Sequence, residues 1–94
     1  MRHTAPAIMH VNPDDVATQA ARRRLLARCI RDSGMSQSEF AVSVLVRDAR
    51  TVRRWLSSER PVPALVAYYL AALASFDGGI RHALRRGARV MVRF

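Results

Sequence analysis

The chain has 94 residues, half of them hydrophobic, and a net charge of +9 from 16 basic against 7 acidic side chains. That length suits one domain with a modest core, and a single cysteine excludes an internal disulfide and a metal site built on paired cysteines. No apolar run approaches the ~20 residues that cross a bilayer, and the opening MRHTAPAIMH lacks the apolar stretch of a signal peptide, so a cytoplasmic protein is expected.

Every basic residue is Arg. Codon bias explains Arg over Lys as well as function does, but it does not explain the excess of positive charge. A pI near 11.7 points to a polyanionic partner, nucleic acid first and an anionic membrane surface second.

Residues 1–11 carry no helical or strand period and are expected as a flexible N-terminal arm. Asn12-Pro13-Asp14-Asp15 reads as a helix start: a capping Asn, Pro at the first helical position, and acids in the first turn. The helix it opens meets no Gly or Pro before Ser33, with Leu26, Cys29, Ile30 and Ser33 on one face, Leu25 beside them, and Gly34 as its stop. Ser36-Gln37-Ser38-Glu39 is a capping box, opening a second, short helix that buries Phe40, Ala41 and Val44. Asp48 caps a third helix to about Ser57, with Val52, Trp55 and Leu56 as a narrow apolar stripe.

Pro61-Val62-Pro63 leads into a fourth helix, Ala64 to about Phe76, with Val66, Tyr69, Leu70, Leu73 and Phe76 as core positions. Gly78-Gly79 breaks it. The remainder, IRHALRRGARVMVRF, holds five arginines and no acid. Ile80 to Arg86 fits a short basic helix. Val90, Val92 and Phe94 alternate, either as a strand that pairs with a second copy or as a disordered tail. The expected division is an arm (1–11), a domain (12–77) and a basic C-terminal extension (78–94).

Two short helices in succession, the second amphipathic and Arg-rich, have the form of a helix-turn-helix. At about 100° per residue, Arg50 and Arg54 fall opposite the Val52–Trp55–Leu56 stripe, with Arg53 at its flank. Between Thr51 and Ser58 there is no acid, whereas an ordinary solvated surface mixes signs. The major groove admits one helix, and Arg grips guanine edges with two hydrogen bonds.

From Leu25 to Leu73 the chain resembles the helix-turn-helix of the phage repressor/Cro-like (XRE-like) family. The resemblance rests on Gly34-Met35-Ser36-Gln37, Glu39-Phe40-Ala41, Arg50-Thr51-Val52-Arg53-Arg54-Trp55 and Glu59-Arg60-Pro61-Val62-Pro63. It implies an all-α fold: a small four- to five-helix bundle of the lambda-repressor-like DNA-binding type, here with the basic C-terminal extension. Gln37 would hold a phosphate, Ala41 would let helices two and three cross closely, and Val52 and Trp55 would anchor helix three. Ala49, Arg50, Arg53 and Arg54 would face bases or the flanking backbone, while Ser57, Ser58 and Arg60 would lie near phosphates. Arg47 and Thr51 complete the expected DNA-binding set.

Three departures stand out. The turn VLVRDA has no Gly where the family usually has one, and Ser58 stands where a second Gly is frequent. Between Gln37 and Trp55 there is also one residue more than the family spacing. A longer connection would relieve the need for a left-handed residue, and it leaves two registers for the base-facing positions, one residue apart.

Other chemistry finds little footing. His3, His10 and His82 are dispersed, and Cys29 lies on an apolar face, as an inert core thiol does. Asp14-Asp15 complements a helix dipole, Ser36 is occupied in capping, and Tyr68-Tyr69 divide between surface and core. No catalytic set, metal or cofactor is expected. The expected protein is a sequence-specific transcriptional regulator that binds double-stranded DNA as a homodimer, away from membranes. An antitoxin or a phage or plasmid regulator of the same fold, with a toxin as partner for the antitoxin, is the alternative. A membrane-surface or protein-interaction module using the basic C-terminal segment as an amphipathic anchor is the rival of another class.

Overall fold

The computed structural model describes residues 11–86; residues 1–10 of the expected arm (1–11) and the alternating segment 90–94 lie outside them. Asn12 caps a single helical turn, α1 (Pro13–Val16), its side chain accepting from the Asp14 amide at 3.0 Å. The long helix expected from Pro13 to Ser33 is interrupted here. Thr18 adopts an extended backbone (φ −128°, ψ 161°), and its hydroxyl accepts from the Ala21 amide at 3.0 Å, capping α2 (Gln19–Ser33). A Thr side chain that bonds nearby backbone competes with helix continuation, and no Gly or Pro is needed for the break. Arg22 then donates from Nε to the Val16 carbonyl at 2.7 Å, satisfying an acceptor freed at the break.

α2 is the centre of the molecule and touches all five other helices. It buries Leu25, Leu26 and Cys29 and ends on Gly34, whose φ of 77° suits a residue without Cβ. The Arg81 side chain crosses that glycine, with Nη2 2.6 Å from where a Cβ would stand, and donates from Nε to the Asp32 carbonyl at 3.1 Å.

The capping box is complete: the Ser36 hydroxyl accepts from the Glu39 amide, and the Ser36 amide donates to the Glu39 carboxylate. It opens α3 (Gln37–Phe40), which continues into a π-helical turn at Ala41–Leu45. The chain therefore reaches the turn before α4 through a widened helical turn, not through a longer loop. The burial of Ala41, Val44 and Leu45 favours that outcome, since a loop would expose them. The widened turn does not remove the need for a left-handed residue. Val46 adopts φ 53°, ψ 50°, donating to the Ala41 carbonyl, and the Arg47 amide donates to the same oxygen at 2.9 Å.

Asp48 caps α4 (Ala49–Leu56), its carboxylate accepting from the Arg50 amide at 2.8 Å. Beyond α4, Ser58 also takes a positive φ, 74°, which lets the Glu59 and Arg60 amides close on the Arg54 carbonyl. α5 (Ala64–Ala74) buries Val66, Leu70 and Leu73 as expected, and Ala67 and Ala71 as well. Tyr69 and Phe76 are only partly buried. α6 (Gly79–Arg85) packs on α2 and α5 with Ile80, Ala83 and Leu84 inside the common core. The expected boundary after residue 77 is thus not a core boundary, because α6 completes the hydrophobic cluster.

All regular structure among the described residues is helical, in six helices. None of the helices is long and apolar enough to cross a membrane.

The two left-handed non-glycine residues allow a stability prediction. A side chain with Cβ costs roughly 1–2 kcal/mol in this region, partly offset by the entropy glycine loses on folding. Val46→Gly is expected to raise stability by about 1 kcal/mol, or ~4–8 °C in Tm, because Val46 is exposed and loses no packing. Ser58→Gly should move the same way. A fall in Tm for Val46→Gly, measured by calorimetry, would contradict the account.

Candidate nucleic-acid interface

α4 presents two opposed faces. Val52 is fully buried and Trp55 is 5% exposed, while Arg50, Arg53 and Arg54 all lie in solvent. Leu56, Ala49 and Thr51 are half-buried along the edges. The 3.6-residue period alone produces this division, since the anchors recur at i and i+3 and the arginines fill the positions between.

Arg50, Arg53, Arg54 and Ser57 line one shallow depression of ≈ 490 Å³, rimmed by Glu59. Arg54 also borders a second, of ≈ 400 Å³, with Thr51, Trp55, Arg60, Pro61 and Pro63. Seven of the expected positions therefore fall on or just after α4: Ala49, Arg50, Thr51, Arg53, Arg54, Ser57 and Arg60. Gln37 stands apart, half-buried at the start of α3, which packs on α4.

Arg47 has a local role that its charge did not announce. Its guanidinium donates from one nitrogen to the Leu45 and Val46 carbonyls, at 3.1 and 3.2 Å, closing the end of the π-helical turn. Glu59 likewise has a partner that its place in the sequence does not announce. It lies just past the acid-free stretch, yet the chain reversal at Ser58 brings its carboxylate 3.7 Å from Arg54 Nε. Both side chains are exposed, so the pair is weak and leaves Arg54 free to exchange partners.

The connection after α4 is held by groups distant in sequence. Val62 is buried, its amide donates to Gln19 Oε1 at 2.7 Å, and its carbonyl accepts from Gln19 Nε2 and Arg22 Nη1, each at 3.1 Å. The amino-terminal turn of α2 thereby fixes the Pro61–Pro63 segment. No local sequence signal announces this clamp, because Arg22 and Gln19 lie 40 and 43 residues from Val62.

Cys29 behaves as the core thiol expected from its position. Its Sγ lies 3.7 Å from the Leu70 carbonyl, and burial pushes its pKa up from 9.0 to about 12, against the opposing charge of Arg28. Below about pH 9 the thiol is protonated in both folded and unfolded chains. Above it the unfolded chain ionises first, so this group lowers stability progressively from pH 9 toward 12. Iodoacetamide near pH 8 should leave native Cys29 unmodified and alkylate it fully in denaturant. Rapid alkylation of the native protein, read by mass spectrometry, would contradict this burial.

Among the described residues no group of three or more His, Cys, Asp or Glu is placed to hold a metal ion. Compared with protein-family models, curated proteins and solved structures, the chain matches none of them.

Proposed function

We propose that the protein is a sequence-specific DNA-binding regulator of the phage repressor/Cro-like type, its bundle lambda-repressor-like and α4 its reading helix. The observation that carries the reading is the division of α4: Val52 and Trp55 anchor it, and Arg50, Arg53 and Arg54 are all exposed. A helix held by buried anchors presents its arginines from a fixed backbone, so binding has only their side chains left to order. Arg50 and Arg53 supply base contacts, while Gln37, Arg54, Ser57 and Arg60 position α4 on phosphates. No cofactor takes part.

A second observation supports the same reading. Val46, within the VLVRDA turn where the resemblance expects a glycine, and Ser58, which stands where a second glycine is frequent, both have positive φ. Left-handed bends at these two places are in keeping with the resemblance.

Binding as a homodimer in the cytoplasm, and a role as antitoxin or phage regulator, belong to the same proposal. The membrane-anchor reading is weakened by α6, whose Ile80, Ala83 and Leu84 face the core and not a lipid surface. Residues 87–94, not 78–94, are accordingly the segment whose removal tests dimerisation. Loss of dimer mass in sedimentation would assign that segment to self-association, and unchanged mass with a shallower salt dependence would assign it to phosphates.

Selection of bound duplexes from a random DNA pool tests the function directly. A recovered palindrome is expected. No enrichment, or preference for anionic vesicles over duplex at physiological salt, would overturn the proposal.

A further inference from the structure

Val46 is 68% exposed and Val42 62% exposed, both in the segment that leads into α4. Val46 combines two unfavourable features: an apolar side chain in water, and a left-handed backbone that a β-branched residue rarely adopts. It contributes nothing to the core. Its position is nevertheless firmly set, by its own amide on the Ala41 carbonyl and by the Arg47 guanidinium on its carbonyl. An outlier held in place by its surroundings points from strain to function. Val46 also stands two residues before the Asp48 cap, at the end of α4 that carries Arg50.

The major groove displays one apolar group, the 5-methyl of thymine, and its protein partner is an apolar side chain. On the reading that α4 enters that groove, we infer that Val46 packs on a thymine methyl beside the base contacted by Arg50. The arginines then read guanine, and Val46 adds a preference for thymine at one neighbouring position. A β-branched side chain suits this contact, because its restricted χ1 leaves little rotamer freedom to lose. Val42, as exposed but four residues farther from α4, serves as the internal control.

The test uses the full chain and the duplex recovered by selection, with each thymine replaced in turn by deoxyuridine. That change removes the methyl and leaves the hydrogen-bonding edge intact. Wild-type protein is expected to lose about three- to fivefold in affinity at one thymine of each half-site. Val46→Gly, which relieves the backbone and so folds, should bind the two duplexes equally, while Val42→Ala keeps the wild-type ratio. Equal binding of thymine and deoxyuridine duplexes by wild type, with Arg50→Ala still weakened, would overturn the methyl contact and leave the DNA reading intact. Retention of the ratio by Val46→Gly, or its loss in Val42→Ala, would overturn the assignment to Val46. Failure to recover any duplex would remove both.

Discussion

Trp55→Ala is expected to lower the unfolding free energy by about 3–5 kcal/mol, the largest stability effect among these substitutions. Trp55 is 5% exposed and shares the core with Val52, so its removal takes away the larger of the two anchors of α4. A domain of this size has ~5–15 kcal/mol in total, and the variant should sit near the limit of folding at 37 °C. Urea titration by far-UV circular dichroism is the measurement, because the chain's one tryptophan is the residue removed. A loss below about 1 kcal/mol would show that α4 is held by other contacts. At temperatures where the variant stays folded, any DNA binding should weaken too, since the arginines lose their rigid support.

Arg50→Ala carries the largest expected effect on binding, ~1–3 kcal/mol, or roughly 5- to 150-fold, with relaxed preference at one base pair. Arg50 is exposed, so Tm should stay unchanged. Arg60→Ala makes the contrast. It should weaken all sequences alike and reduce the salt slope by about 0.9. Titrations on selected and scrambled duplexes at two salt concentrations separate the two behaviours. Equal losses on both duplexes for Arg50→Ala would place that residue on the phosphates.

Much of the fold was legible because its signals are local. Asn12, Ser36 with Glu39, and Asp48 each cap a helix with side chains two or three residues from the amides they bind. Gly34 ends α2 in the left-handed geometry its position suggested. The Val52–Trp55 stripe and the opposing arginines follow from helical period alone, so this part of the candidate interface is legible in the sequence.

What was not legible depends on competition between segments. Thr18 interrupts an otherwise helix-favouring stretch, and the break is completed by Arg22 reaching back to Val16. Ala67 and Ala71 are buried because α5 lies close to its neighbours, which no hydropathy pattern of small residues reveals. Arg47 and Glu59 looked like free charge and the edge of an acid-free run. Their hydrogen-bonding and ionic partners became visible only once the turns at Val46 and Ser58 had been placed.

The sequence by itself determined that residues 12–86 are mainly helical, that Asn12, Ser36 and Asp48 are caps, and that one short helix carries arginines opposite a buried tryptophan. These features need only interactions within a few residues. Tertiary structure decided the path into α4: a π-helical turn that buries Ala41, Val44 and Leu45 and ends on a left-handed Val46. It also decided that α6 belongs to the core, since Ile80, Ala83 and Leu84 find their apolar partners only against α2 and α5. Both outcomes come from burial of apolar surface between distant segments, a quantity that no local pattern contains.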